Sequence, residues 1–297
     1  MGRFDDRATR PARGPRDILR WKLLGRRSRA AAFTTPRRAP DEALIASPEP
    51  SLTWIGHASF VLRLGGRLIA TDPLWSERIQ GLIPRQSPPG IPLERVPPID
   101  VVTISHAHYD HLDLPTLRRI GPGAHYLVPL GVGRHLAEFP RVTELDWWQT
   151  ADLGGLAVTL VPARHWSMRS PFDRNEALWG GFVFDDGRTV AYHAGDTALT
   201  EDFAEIGRRH SIDYAMLPIG AYEPRWFMEP QHMNPDDAGA ALLALGARTL
   251  VAMHWGTFRL TDEPLGEPPE RMRAWWAARG LAPERLWIFD LGETRRL

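Results

Sequence analysis

From Ser51 onward the chain is a succession of short, apolar, β-like runs separated by glycine and proline turns. The runs are SLTWI (51–55), SFVLRL (59–64), RLIATD (67–72), VVTIS (101–105), HYLV (125–128), LAVTLVP (156–162), GGFVF (180–184), TVAYHA (189–194), YAMLP (214–218), TLVAMH (249–254) and RLWIFD (285–290), and each predicts a strand. Helical patterns stand between some of them. Leu114–Ile120 has Asp113 as N-cap and Pro115 in its first turn, and 200–209 is amphipathic. Residues 234–245 open on Asn-Pro-Asp-Asp, a cap, a proline at the first helical position and two acids on the positive helix end. Residues 270–279 form a helical pattern that stops at Gly280. Many strands and few helices, spread over both halves, imply two sheets face to face with helices outside. The segment 84–98, with six prolines, predicts an irregular surface loop.

Composition narrows the class. Apolar residues are 43% and charged residues 24% of 297, which fits a folded globular protein and not a disordered chain. The absence of cysteine excludes disulfides, thiolate zinc sites, iron–sulfur clusters and cysteine nucleophiles, so any metal must be held by His, Asp or Glu. The longest stretch free of Asp, Glu, Lys and Arg is 14 residues (120–133), too short to span a bilayer, which takes about 20. The Arg26–Arg27 pair resembles a twin-arginine signal but lacks an apolar core after it, so cytoplasmic residence is expected.

Charge divides the chain. Residues 1–40 carry 12 basic against 3 acidic side chains, net +9, and the remainder carries 24 against 33, net −9. We read 1–48 as an Arg- and Pro-rich arm, partly disordered or packed on the body, and 49–297 as the main domain. The arm's apolar knot, Ile18, Leu19, Trp21, Leu23 and Leu24, suits contact with an anionic membrane, as well as a solvated tail.

The chemistry concentrates at strand ends. Ser105-His-Ala-His-Tyr-Asp-His follows VVTIS, so His106, His108, Asp110 and His111 fall within six positions on a turn leaving a strand. Neutral imidazoles and a carboxylate are a ligand set for zinc, iron or manganese. His165 follows LAVTLVP, Asp196 follows TVAYHAG, and His254 ends TLVAM, each in the same topological place.

The H-x-H-x-D-H stretch resembles the signature of the metallo-β-lactamase superfamily. That resemblance implies an α/β fold, an αββα sandwich of two mixed β-sheets flanked by helices, with a metal pair at one sheet edge. It implies that His106, His108 and His165 hold one ion, Asp110, His111 and His254 the other, and that Asp196 bridges them. Asp72, ending RLIATD, matches the family's outer-shell aspartate that orients ligand histidines. Further segments, LWGGFVF (178–184), HAGDT (193–197), PIGAYEPRWFM (218–228), QHMNPDDA (231–238) and MHWGTF (253–258), resemble the N-acylphosphatidylethanolamine-hydrolysing phospholipase D branch.

The resulting expectation is a hydrolase with two divalent ions, Zn2+ before Fe or Mn, acting on phosphodiesters of N-acylphosphatidylethanolamine-like lipids. Asp110 and His232 are the catalytic candidates. His57, Tyr222, Arg225, Trp226 and Gln231 are candidates for substrate contact, the first also able to bond backbone and the aromatics also able to pack on their own domain. The rival enzyme is a lactonase or carboxylic-ester hydrolase on the same scaffold. Nucleic-acid processing through the arm is the rival of another class, opposed by the acidic body. A homodimer is compatible with all of these.

Overall fold

The computed structural model describes residues 2–8, 14–24 and 33–297. In chain order its helices are α1 (Pro15–Leu24), α2 (Glu42–Ala46), α3 (Leu114–Ile120), α4 (Asp202–Arg209), α5 (Arg225–Met228), α6 (Pro235–Leu245) and α7 (Glu267–Ala278). The strands are β1 (Ser51–Gly56), β2 (Ser59–Leu64), β3 (Arg67–Thr71), β4 (Arg78–Ile79), β5 (Ile83–Pro84), β6 (Val101–Thr103), β7 (His125–Pro129), β8 (Val142–Leu145), β9 (Thr150–Asp152), β10 (Ala157–Val161), β11 (Gly181–Asp185), β12 (Val190–His193), β13 (Tyr214–Pro218), β14 (Thr249–Met253), β15 (Leu286–Trp287) and β16 (Thr294–Arg296).

Two seven-stranded sheets carry the fold, ordered β16-β1-β2-β3-β6-β7-β8 and β9-β10-β11-β12-β13-β14-β15. Each begins with three antiparallel pairings and ends with three parallel ones, so the two halves repeat one plan. The last strand returns to the outer edge of the first sheet, joining the ends of the chain. This is the expected αββα sandwich of two mixed sheets.

Apolar runs without strict alternation are explained by burial on both faces. Phe60, Leu62, Leu64, Ile69, Val101 and Leu127 of the first sheet meet Val158, Leu160, Phe182 and Phe184 of the second in the inter-sheet core. The intervening Val61, Leu68, Ala70, Val102, Tyr126 and Val128 form a separate cluster on the first sheet's outer face, with Leu117 of α3. Helices α4, α6 and α7 cover the second sheet through Phe203, Ile206, Ala238, Leu242 and Met272. A strand buried on both sides has no polar face to show in sequence.

Helix ends follow the sequence signals, with two adjustments. Asn234 accepts from Asp237 N at 2.8 Å while the Asp237 carboxylate accepts from Asn234 N at 3.2 Å, a reciprocal cap for α6. Helix α7 starts at Glu267, three residues before the expected start, because Pro268 and Pro269 fit the first turn, where no N–H is needed. Asp113 precedes α3 but does not cap it with its side chain, which accepts instead from Ser76 Oγ and Thr116 Oγ1 at 2.6 and 2.5 Å.

Much of the segment read as an arm lies on the body. Phe4 is buried in the main core and its N–H donates to Asn175 O at 2.9 Å. Arg7 pairs with Asp146. Residues 33–48 run along β1 and the turn before β16, with Thr35 Oγ1 donating to Gly256 O at 2.6 Å and Ile45 of α2 buried. The knot Ile18–Leu24 is part of helix α1, which the sequence reading left unassigned. The twin-arginine stretch lies outside the described residues. Among those residues no helix is long and apolar enough to cross a membrane.

Candidate metal centre

Strands β3, β6, β10, β12, β13 and β14 all point their carboxyl ends at the same edge of the sandwich, and the loops leaving them carry Asp72, 105–111, His165, Asp196, 220–232 and His254. Placing polar groups just beyond apolar strands lets a buried frame hold a wet site. The loop of Asp196 depends on Gly195, whose φ is +60° and where a Cβ would come within 2.5 Å of Ser105 Cβ, so only glycine lets the two ligand loops touch.

Two groups of donors result. His106 Nε2, His108 Nδ1 and His165 Nε2 converge, 2.8 Å between the first pair and 3.2 Å between the last. Beside them Asp110, His111 and His254 converge together with His57. Asp196 lies between the groups. Its Oδ2 is 3.3 Å from His111 Nε2 and 3.9 Å from His165 Nε2, and its Oδ1 is 3.1 Å from His254 Nε2.

Outer contacts fix which nitrogens are bare. Asp72, almost fully buried, accepts from Ser105 N and Ser105 Oγ, both at 2.6 Å, and from His111 Nδ1 at 2.7 Å. Ser105 Oγ has given its hydrogen to Asp72, so at 2.9 Å it accepts from His106 Nδ1. His165 Nδ1 donates to Gln231 O at 3.0 Å. Neutral imidazole has one N–H, so the Nε2 atoms of His106 and His165 are left as lone pairs aimed at His108 Nδ1. A single proton on His108 can satisfy only one of them. The buried atoms His111 Nε2, His254 Nε2, His232 Nδ1 and Asp196 Oδ1 also lack hydrogen-bond partners. Such convergent, unsatisfied polar atoms are costly unless a cation is shared among them, so the residues fit a metal centre.

The electrostatics agree. Burial holds the His106 and His165 rings well below the ordinary imidazole pKa, with neighbouring histidines adding to the effect, and pushes His108 down to about 4. These rings are neutral at pH 7, as ligands must be. For His111 burial opposes the proton, but Asp196, Asp110 and Asp72 together outweigh it and raise the pKa. Burial works against ionising Asp110, yet His111 and His57 keep its pKa low.

Residues 67–255 match the model of the β-lactamase superfamily domain. The chain belongs to the metallo-β-lactamase superfamily. An uncharacterized protein of Mycobacterium tuberculosis strain H37Rv is 40% identical over 272 residues, covering 86% of this chain and 72% of that one. The N-acyl-phosphatidylethanolamine-hydrolyzing phospholipase D 1 of Caenorhabditis elegans is 34% identical over 263 residues, covering 81% and 74%. Among solved structures, the metallo hydrolase Igni18 of the archaeon Ignicoccus hospitalis aligns with a TM-score of 0.65 and 25% identity over 84% of this chain and 98% of that one. The superfamily's chemistry comes with the ligand-like cluster, and the protein is a metal-dependent hydrolase.

The seven expected ligands and Asp72 are therefore brought to one place, whereas the expected substrate contacts are mostly turned to support. His57 is buried in the β1–β2 turn and its Nε2 lies 3.0 Å from Asp110 Oδ2. Its pKa is pushed down to about 4 by burial and by His254, so the neutral ring donates to the carboxylate and steadies it. Tyr222 is fully buried with its hydroxyl donating to Glu267 Oε1 at 2.6 Å, so it packs on its own domain. Arg225 spends its guanidinium on His232 O at 3.0 Å and on Asp237, which leaves it as a brace and not a free phosphate ligand. Gln231 acts through its backbone carbonyl on His165. Trp226 is partly exposed, with Arg20 over its ring. His232 lies beside His165 and Asp196, close enough to count with them as a possible donor, its Nδ1 3.9 Å from Asp196 Oδ2 and its ring 5.1 Å from that of His165.

Three contributors escaped the sequence reading. Ser105 couples Asp72 to His106, and its place before the first histidine is its only signal. Trp166 packs edge-on against His108 at 4.5 Å. Glu263, nearly buried, accepts from Ala221 N at 2.7 Å, Glu223 N at 3.1 Å and Thr261 Oγ1 at 2.7 Å, which ties down the loop that leads to His232.

Proposed function

We propose that the protein is a phosphodiesterase of the phospholipase D type, cleaving N-acylphosphatidylethanolamine-like glycerophospholipids with two divalent ions, zinc foremost. The observation that carries this reading is the 34% identity to the nematode phospholipase D across 81% of the chain. It is supported by the site, where two groups of donor side chains flank Asp196 and the buried His232 Nδ1 lacks a hydrogen-bond partner.

His106, His108 and His165 would hold one ion, Asp110, His111 and His254 the other, and Asp196 both. Bound there, such ions supply Lewis acidity and lower the pKa of an attacking water to near neutrality. The chain's own part is to orient and to move protons. Asp72 fixes His111 directly and His106 through Ser105, so the ligand rings do not turn. His57 steadies Asp110. His232 is pushed down to about 4 by burial, so it is neutral at pH 7. Its ring can donate to a phosphate oxygen or relay a proton toward the departing alkoxide, which for a choline- or ethanolamine-type ester has poor leaving ability. Arg225 and Gln231 hold the segment that carries it.

Side-by-side hydrolysis rates test the reading. Metal-loaded protein is expected to cleave the phospholipid diester orders of magnitude faster than lactone, β-lactam or RNA substrates. Dominant turnover of lactones or carboxylic esters would replace it with the rival hydrolase reading.

A further inference from the structure

Three of the ligand rings are fastened at the nitrogen facing away from the centre: His106 Nδ1 by Ser105, His111 Nδ1 by Asp72 and His165 Nδ1 by the Gln231 carbonyl. His254 differs. Its Nε2 is turned to Asp196 Oδ1 at 3.1 Å, so Nδ1 is its outer nitrogen, and that atom is buried with no hydrogen-bond partner among the described residues. Neutral imidazole keeps one N–H, and a ring that offers Nε2 to a cation carries the hydrogen on Nδ1. A buried donor without an acceptor is costly, so the surroundings of this one should supply something that accepts.

A small cavity lies beside the ring. It has a volume of about 10 Å³, its walls include His57, His254, Trp255, Thr261 and Glu263, and every residue around it except Leu260 is buried. That volume is about the least that admits a single water, and a water persists in such a place only with about two to four polar partners. The walls provide them. His254 Nδ1 is one donor, and Trp255 Nε1, also buried and unpartnered, is a second. The acceptor is the Glu263 carboxylate. Its Oε1 receives Ala221 N and Thr261 Oγ1, both at 2.7 Å, whereas Oε2 receives Glu223 N at 3.1 Å and keeps a lone pair to spare. Water accepts two hydrogens and donates two, so one molecule can take the N–H of His254 and return an O–H to Glu263.

We propose that Glu263 is a positioning residue for His254, acting through one buried water held in this cavity. The proposal rests on the reading of His254 as a metal ligand. Glu263 then does for His254 what Asp72 does for His111, so two ligands of one ion are steadied by carboxylates that follow strands of opposite sheets, Asp72 after β3 and Glu263 after β14. The same carboxylate holds the N–H groups of Ala221 and Glu223. The His254 ring and the loop leading to His232 therefore share one anchor.

A high-resolution crystal structure of the zinc-loaded chain and chelator competition for zinc test this together. The density should show one ordered water within hydrogen-bond reach of both His254 Nδ1 and the Glu263 carboxylate. A dry cavity, or a water that touches only one of the two, overturns the proposal. Glu263→Gln keeps the shape but exchanges an acceptor oxygen for a donor. It should weaken the zinc of the Asp110–His111–His254 group about 10- to 100-fold and that of the His106–His108–His165 group less. Thr261→Val removes one hydrogen bond that anchors the loop and leaves the carboxylate in place, so both affinities should stay near the parent's. No loss in Glu263→Gln, equal loss at both groups, or a matching loss in Thr261→Val overturns the positioning role and leaves Glu263 as an anchor of the loop alone. Should Glu263→Gln fail to fold, the density in the parent decides. His254→Ala separates the proposal from the reading beneath it. If zinc stays bound at that group, His254 is no ligand and both fall; if zinc is lost there while Glu263→Gln changes nothing, only the proposal falls.

Discussion

Replacing Asp72 by Asn removes one charge and no bulk, so it isolates what the carboxylate does for the centre. In the parent both oxygens accept: Oδ1 from Ser105 N, Oδ2 from Ser105 Oγ and His111 Nδ1. An amide keeps one acceptor and substitutes a donor for the other. If its NH2 takes the Oδ1 place it faces the Ser105 N–H, leaving a buried donor unsatisfied at a cost of about 1–3 kcal/mol. If it takes the Oδ2 place it faces the His111 Nδ1–H, and the ring can be relieved only by giving up that proton and keeping one on Nε2, the atom turned toward Asp196 at 3.3 Å. A proton there blocks metal binding. Outer partners of this kind are typically worth about 10- to 100-fold in metal affinity, or about 1.4–2.8 kcal/mol.

The loss should fall unevenly. His111 touches Asp72 directly, whereas His106 is reached through Ser105 and His108 and His165 not at all. A chelator-competition titration of Asp72→Asn should therefore find the ion of the Asp110–His111–His254 group weakened about 10- to 100-fold and the other weakened less. Activity at limiting metal should fall in parallel and recover in part at excess metal. Affinities within twofold of the parent at both sites would refute the orienting role, and equal loss at both would refute its passage through His111.

Three further outcomes are expected. His232→Ala should retain both ions while kcat falls about 10²–10⁴-fold, less for a diester with a nitrophenolate leaving group; metal loss on substitution would make it a ligand instead. Chelator treatment should lower Tm by about 5–10 °C, because an ion at 100 times its Kd adds about 2.7 kcal/mol to the folded state, and added metal should restore it in a calorimetric scan. Metal uptake near pH 7 should release about one proton, seen as buffer-dependent heat in titration calorimetry. His111, its pKa raised by three carboxylates against burial, holds that proton before metal arrives, while His106, His108 and His165 are already neutral; affinity should thus climb with pH toward the raised His111 value and then level off.

What the sequence disclosed depended on how local the cause was. Strand β2 has the boundaries its apolar run predicts, and α6 has those its Asn-Pro-Asp-Asp start predicts, because the ends of an apolar run and a helix cap are set within a few residues. Strands β8, β9 and β16 escaped because they are edge or near-edge strands with exposed and polar residues such as Glu144, Thr150 and Arg296, stabilised by pairing across the chain. The seven ligand-type residues were legible since four share the turn after one apolar strand and the other three each follow or end another. The supporting residues were not. Nothing in Gly56-His57-Ala58 says that this ring will meet Asp110, 53 positions away, and nothing in Glu-Pro-Arg-Trp says that Arg225 will turn to Asp237. Those roles exist only once two sheets have closed on each other.

The same closure explains where the molecule departs from easy backbone geometry. Among the described residues seven non-glycine positions have positive φ, and four of them, His57, Asp72, Ala221 and His254, belong to the centre or the loop beside it. Each such residue costs of order 1 kcal/mol or more and persists only where surroundings over-determine it. Here the surroundings are visible. The His57 carbonyl accepts from His254 N at 2.9 Å and from Trp54 Nε1 at 3.1 Å, while His57 N donates to Thr257 Oγ1 at 2.7 Å, so the first sheet's hairpin turn and the second sheet's ligand loop lock each other. Ala221 is fixed by Glu263, and Asp72 by Ser105. Strained turns, orphaned nitrogens and buried carboxylates thus share one edge, and the largely apolar inter-sheet core beneath supplies the stability that lets that edge remain poised for a cation.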